Sequence, residues 1–241
     1  MTEQFNPTVG ILGGYEPLDG TIEFYMRVTS ILKKTDVVVD LGAGRGAWFS
    51  DDKCEMRRQT RNIKLKVSKV IGLDVDPVVL MNQTTTENHI IKAGKFPLPN
   101  QSVDMVIADY VLEHVSDVKE FTDEVKRILK PGWYFCARTP HKYEYVTLFS
   151  RLVTEKHHGW ILRKVQSGRK NEDVFPATYK LNTIRGVTGA FPDFQDYSYL
   201  YSSEPSYYCG SKLLYKAFSL LHRILPRFLV SNIFIFKQKN Q

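Results

Sequence analysis

Cysteine is scarce in this chain of 241 residues. Cys54, Cys136 and Cys209 are odd in number and far apart, with neither a CxxC pair nor zinc-site spacing. That argues against a redox pair or a cysteine-built metal centre. A reducing, cytoplasmic setting is the simplest expectation. No other ligand cluster stands out, so no metal is expected. Long apolar runs are also missing. No segment reaches the roughly 18 residues of a spanning helix, and the apolar tail 228–236 is short and follows Pro226. The first residues, Met1-Thr2-Glu3-Gln4-Phe5, lack the basic start and apolar core of a secretory leader. Internal repeats and low-complexity tracts are absent. There is no long Lys/Arg block either, although the formal charge is +7 and the pI about 9.2. We read that balance first as solubility charge. Phosphorylated metabolites, anionic membrane surfaces and nucleic acid are the alternative partners.

What is present suits a sizeable core. The chain is 43% hydrophobic and 24% charged, with thirteen Tyr and fourteen Phe. Its length fits one large domain, or one domain with an insertion.

The most informative stretch is Val37-Val38-Val39-Asp40-Leu41-Gly42-Ala43-Gly44-Arg45-Gly46. Three β-branched residues fit a strand covered on both faces. Alternating glycines then permit a tight turn that approaches a ligand. A helix opening near Ala47 would point free N–H groups back at that turn.

Around this stretch, strands alternate with helices. An irregular arm covers residues 1–20, and a helix is expected over about 21–33. Strand one is 37–41, and a helix follows from Trp48 to about Arg61. Strand two is 70–74, followed by a short helix opened by Pro77. A third strand is expected at 89–91 and a fourth at 103–108, ending in Asp109. The next helix carries Phe121, Val125, Ile128 and Leu129, and stops at Lys130-Pro131-Gly132. Strand five is 133–137. This order predicts an α/β fold with a parallel sheet and helices on both faces. From 140 to 192 the alternation fails, and the stretch reads as an insertion, rich in polar and aromatic residues, that covers a ligand site. A strand over 194–201, a helix over 212–225 and a last strand over 232–237 close the chain. The basic group Arg57, Arg58, Arg61, Lys64, Lys66 and Lys69 reads as a solvated helix end, with phosphate contact as the lesser alternative.

A glycine turn also serves dinucleotides, and Gly42-x-Gly44-x-x-Ala47 satisfies that fingerprint. Four features point elsewhere. Asp40 would repel a pyrophosphate and suits a cationic ligand group. Asp74 ends strand two, placed to accept from ribose hydroxyls. Residues 96–106, starting Phe96-Pro97-Leu98-Pro99, lead into strand four. Asp109-Tyr110-Val111-Leu112-Glu113-His114-Val115 follows it.

With these motifs the chain resembles the class I S-adenosylmethionine-dependent methyltransferases, over roughly residues 35–140 and the closing strand. The nearest pattern is the branch with the ubiquinone and menaquinone biosynthetic enzymes and many small-molecule O-methyltransferases. The resemblance implies a Rossmann-like sheet of about seven strands with the last antiparallel, and a lid-like insertion after strand five. It implies a single domain over 1–241: an arm over 1–20, a cofactor-binding core over 35–139, a substrate lid over 140–192, and closing strands and helix over 193–241. It implies S-adenosylmethionine as cofactor. Asp40, Gly42, Ala43 and Gly44 would hold its methionine end, Asp74 its ribose and Val75 its adenine. Ala93 and Gly94 would lie along the adenine edge, and Asp109 and Tyr110 would face the methionine part. Two departures stand out. Lys92, Ala93 and Gly94 replace the acid usual before the proline loop. Gly42 to Asp74 spans 32 positions, against roughly 20 in a unit of this type, so an extra loop is expected within 50–68.

An oxygen acceptor needs a base. His141, just past strand five, and His114, just past strand four, are the candidates. His157, His158, Glu172 and Asp173 are weaker ones in the insertion. A proline-rich run for base-amine methylation is lacking, and Cys136 reads as a core residue rather than a nucleophile. The expected activity is methyl transfer to an acceptor among metabolites, sugars and lipid-linked intermediates, with an acidic acceptor favoured by the charge. A nicotinamide-dependent oxidoreductase, an RNA or protein methyltransferase and a non-catalytic binding module are the alternatives. Nucleic acid ranks behind a small molecule, and peripheral membrane contact stays open.

Overall fold

The structure is a computed structural model that describes residues 5–144, 177–205, 208, 210–226 and 229–241. The sheet is built from β1 (Val37–Leu41), β2 (Lys69–Asp74), β3 (Glu87–Ile90), β4 (Val103–Asp109), β5 (Leu129–Pro140), β6 (Phe194–Asp196), β7 (Tyr199–Tyr201) and β8 (Asn232–Lys239). Its order is β3-β2-β1-β4-β5-β8-β6, with β7 also paired to β8. β1 to β5 run parallel, with Val38 opposite Val70 on one side and Met105 on the other. β8 enters antiparallel to β5, and β6 and β7 lie antiparallel to β8. The order reverses between β1 and β4, where ligands bind in open α/β sheets.

Among the described residues the α-helices are α1 (Gly20–Ile31), α2 (Trp48–Asp51), α3 (Glu55–Arg61), α4 (Val118–Ile128), α5 (Ile184–Ala190) and α6 (Lys212–Ile224). Alternate strand residues serve opposite faces. Val38, Val70, Met105 and Ile107 pack with Phe24, Tyr25 and Val28 of α1. Val39, Ile71, Val106 and Ala108 pack with Val125 and Ile128 of α4 and Val187 of α5. Asp19 caps α1 by accepting from the Thr21 and Ile22 amides, and Asp117 caps α4 at Glu120.

Several boundaries differ from expectation. The helix expected from Trp48 to Arg61 is two helices, because Asp52 turns the chain by accepting from the Cys54 amide at 2.8 Å. The strand expected over 194–201 is split: Asp196 accepts from the Ser198 amide at 2.9 Å, and that turn separates β6 from β7. The eighth strand results. β5 begins at Leu129 and runs through Pro131-Gly132, where helix termination was expected; Gly132 carries φ +80° there. The end of the stretch read as a lid belongs to the body of the fold. Leu181, Val187 and Phe191 are at most 1% exposed, and Phe191 stacks on Phe135 of β5 at 4.9 Å. Residues 145–176 lie outside the described residues, and with them the expectations for Tyr145, His157, His158, Trp160, Glu172 and Asp173; Cys209 does too.

Candidate active site

The glycine turn sits at the carboxyl end of β1, held from three sides. The amides of Gly42 and Ala43 both donate to the Leu73 carbonyl, at 2.7 and 3.2 Å. Asn82 donates its side-chain amide to the carbonyls of Ala43 and Gly44, at 2.9 and 3.1 Å. A Cβ on Gly42 would lie 2.4 Å from Val111, so the loop after β4 closes directly onto the turn. Gly44 adopts φ +50° with nothing within 4 Å of where its Cβ would be. That side is open. Asn82 carried no sequence signal, since its contact depends on the turn that brings it back. The helix expected behind the turn is only the four residues of α2.

The turn and the second acid meet. The Gly44 amide donates to Asp74 Oδ2 at 2.8 Å, and the Asp76 amide donates to Asp74 Oδ1 at 3.0 Å. Each carboxylate oxygen retains acceptor capacity. Val75 beside it is 60% exposed, an apolar surface at the strand tip. The Ile91 amide donates to the Asp74 carbonyl at 2.7 Å and so draws in the turn at Lys92–Lys95. Ala93 and Gly94 take positive φ there, and a Cβ on Gly94 would strike the Glu120 carboxylate. Gly94 is thus required by packing on α4. The proline loop is pinned by Arg127, which donates to the Phe96 and Leu98 carbonyls at 2.8 and 2.7 Å.

Between β1, β4 and β5 lies a buried ionic cluster. Asp109 closes β4, and its carboxylate takes a two-point bond from Arg138 of β5, through Nε to Oδ1 and through Nη2 to Oδ2 at 3.0 Å. Arg61 approaches Oδ2 at 3.2 Å, and the Tyr25 hydroxyl donates to the same oxygen at 3.2 Å. Although burial opposes its charge, the two guanidiniums hold Asp109 below the usual carboxylate range. Asp40 fares differently. Burial pushes it up to about 7; Arg61 opposes that shift, and Asp109 and Asp74 reinforce it. Tyr110 takes φ +58°, lies under the Arg138 guanidinium at 4.8 Å, and donates from its hydroxyl to Asn232 at 3.1 Å.

The loop after β4 is fastened by its glutamate. Glu113 is 7% exposed and accepts from Thr139 Oγ1 at 2.9 Å, which itself accepts from Asn182 at 2.7 Å. Burial raises the Glu113 carboxyl. The Thr178 amide donates to the Glu113 carbonyl at 2.7 Å. His114 ends this turn, half-buried. His141 stands just past β5, 4% exposed, with its ring edge-on to Tyr143 at 5.5 Å. Its backbone amide donates to the Ser231 carbonyl at 2.8 Å. A hydrogen bond to the Val230 backbone occupies the ring, while Nδ1 is buried without a partner among the described residues. Burial holds His141 below the usual imidazole range, so it is neutral at pH 7. Cys136 is fully buried and its thiol is pushed up, as an inert core residue would be. Among the described residues no group of His, Cys, Asp and Glu could hold a metal ion.

The basic group in 57–69 does not simply face solvent. Arg57 pairs with Asp52 at 2.7 Å and Asp19 at 3.0 Å, and Arg61 turns into the cluster. The signal available beforehand was the excess length between Gly42 and Asp74.

This arrangement fits S-adenosylmethionine. The open side of Gly44 gives room over the turn. Asp74 keeps acceptor capacity of the kind ribose hydroxyls need, with the apolar Val75 beside it. The strained charge on Asp40 is relieved by an incoming cation. The fold is the Rossmann-like sheet found in class I methyltransferases. Residues 39–137 match the model of a family described as Methyltransferase domain, and the chain resembles the class I S-adenosylmethionine-dependent methyltransferases, whose cofactor is S-adenosylmethionine. It is 36% identical over 78 residues to a protein described as a probable S-adenosylmethionine-dependent methyltransferase of Mycolicibacterium smegmatis, covering 31% of this chain and 30% of that one. It is 29% identical over 122 residues to a demethylmenaquinone methyltransferase of Tropheryma whipplei, covering 48% of this chain and 46% of the relative. The chain thus spans less than half the length of these relatives. The fold is shared with a methyltransferase solved with the Trm112 activator of Haloferax volcanii, at TM-score 0.57 and 16% identity, covering 90% and 89% of the two chains. It is also shared with a geranyl diphosphate methyltransferase, at TM-score 0.56 and 13% identity, covering 90% and 76%. Among the described residues no helix is long and apolar enough to cross a membrane.

Proposed function

We propose that this protein transfers a methyl group from S-adenosylmethionine to an oxygen of a small-molecule acceptor: a metabolite, a sugar or a lipid-linked intermediate. The observation that carries the reading is the junction of the glycine turn with the acid of β2, Gly44 amide to Asp74 at 2.8 Å, beside the buried acids of β1 and β4. Bound there, the cofactor supplies an electrophilic methyl carbon on a sulfonium. Asp74, Asp40 and Asp109 bind and orient it. Alignment of acceptor with that carbon is the protein's main contribution, on the order of 7–11 kcal/mol.

His141 is the proton acceptor in this reading. Its ring bond to the Val230 backbone fixes one nitrogen, which leaves the lone pair of Nδ1 for an acceptor hydroxyl. With the cofactor supplying the methyl carbon, Nδ1 would take the proton that the acceptor hydroxyl loses on methylation. His114 is the second candidate, on the facing loop. The Glu113–Thr139–Asn182 chain positions that loop against the end of β5.

The test is methyl transfer from labelled S-adenosylmethionine across a panel of hydroxylated small molecules, for the wild type and His141→Ala. General-base catalysis is worth 10²–10⁴-fold, so turnover should fall by about 10²-fold or more. Affinity for S-adenosylhomocysteine should stay within about twofold. Equal losses in both would mean that His141 only supports the fold.

A further inference from the structure

Charge is unevenly spread along this chain. Glu204 is its last acid, and the 37 residues that follow carry six Lys and Arg, against an excess of seven for the whole chain. α6 lies in that stretch and contains no acid. One face of α6 is anchored. Tyr215 and His222, seven positions apart, are 8% and 6% exposed. The Phe5 ring packs on Tyr215 at 5.7 Å, and His222 Nδ1 lies 2.6 Å from the Ser203 carbonyl oxygen. Ser203 Oγ accepts from Asn232 at 2.6 Å, and Asn232 accepts from the Tyr110 hydroxyl at 3.1 Å. α6 is thus tied to the turn after β4, beside the crevice.

The opposite face is exposed and apolar. Leu213, Leu220 and Ile224 are 78%, 60% and 70% exposed. With the exposed Ala217 they recur at i, i+4, i+7 and i+11. That spacing makes one stripe along the helix, half a turn from Tyr215 and His222. Lys212, Lys216 and Arg223, all exposed, form a row along one flank of the stripe. A contiguous apolar surface of this kind marks a contact, and the row selects the partner. The α6 of a second copy would set Lys and Arg against Lys and Arg, with no acid to pair. An anionic bilayer complements both features: its phosphates meet the row, and its acyl chains take the leucines.

We propose that α6 docks this protein on an anionic membrane surface. It lies in the plane of the interface, with Leu213, Leu220 and Ile224 toward the acyl chains and Lys212, Lys216 and Arg223 at the lipid phosphates. The docking does not depend on which reaction the crevice performs. Joined to the methyltransferase reading above, on which this last step rests, it selects the lipid-linked intermediate among the acceptors.

The experiment is co-sedimentation of the full chain with vesicles, either of phosphatidylcholine alone or of phosphatidylglycerol and phosphatidylcholine in equal parts. The wild type should partition about tenfold or more in favour of the anionic vesicles, and salt should weaken the binding. Replacing Lys212, Lys216 and Arg223 together by Gln should cost about a hundredfold, since each basic side chain near such a surface contributes about fivefold. Leu220→Ser combined with Ile224→Ser should cost about tenfold or more on the same vesicles. All five positions are exposed, so thermal unfolding and S-adenosylhomocysteine affinity should match the wild type. No partition of the wild type onto anionic vesicles, or undiminished partition of the double serine variant, would overturn the docking. So would dimerisation of the wild type that the serine variant abolishes, which would give the face to a second copy. A wild type that docks but does not bind S-adenosylhomocysteine would overturn the methyltransferase reading and leave the docking standing.

Discussion

At the scale of single residues, Asp40 is the most consequential. A carboxylate that titrates near 7 is ionised only in part at neutral pH. A cationic ligand group binds its ionised form, so cofactor affinity should be full above about pH 8 and should decline as pH falls through 7. Asp40→Asn should remove this dependence and bind weakly at every pH. The folded protein itself has the opposite preference. Its Asp40 value stands above the ordinary carboxylate value, so this group's contribution favours the fold at low pH and is lost as pH rises through that window. Titration calorimetry between pH 6 and 8 checks the first claim; a flat profile in the wild type would refute it. Asp40 and Asp74 stood out in the sequence because each follows a strand-like apolar run, with Gly42 two positions after the first and Pro77 three after the second. Asn82 and Glu113 were not legible as supports. Both act on partners 26 or more positions away, across turns with no periodic signal.

At the scale of elements, the strands were the easiest to read. β1, β2 and β4 are buried on both faces, so their apolar runs are continuous and their ends sharp. Short polar turns escaped, because one Asx turn at Asp52 or Asp196 ends an element regardless of the pattern around it. The excess length between Gly42 and Asp74 was legible, but which side chain it delivers was not. At the far edge, Lys237 of β8 is fully buried and pairs with Asp196 at 2.6 Å, and Thr188 of α5 donates to the same carboxylate at 2.7 Å. This pair joins β8, β6 and α5. It holds Asp196 down at about 2. A folded value below the unfolded one means stability present above about pH 4 and lost as pH falls toward 2. Asp196→Ala strands a buried ammonium and should cost about 3–5 kcal/mol. Lys237→Met, which removes the charge and keeps the packing, should cost clearly less. Chemical denaturation of the two variants checks this; equal costs would mean that volume matters and charge does not.

At the scale of the whole molecule, sheet order puts the chemistry where it is. Reversal of direction between β1 and β4 opens the crevice that holds Asp40, Gly44 and Asp109, with Asp74 one strand away. β8 then closes the sheet antiparallel, and its apolar character needs no membrane to explain it. The match to a methyltransferase domain over 39–137 covers this half of the sheet and stops before the residues around His141. The match thus takes in the glycine turn, Asp74 and Asp109 and leaves His141 outside it. The central claim is that the crevice binds the S-adenosyl nucleoside through the acid of β2, and equilibrium binding of S-adenosylhomocysteine to the wild type and to Asp74→Ala tests it most directly. The account predicts saturable binding by the wild type, no competition from NAD or NADH, and a loss of about tenfold or more in the variant. Binding of NADH in its place, or unchanged affinity after Asp74→Ala, would contradict it.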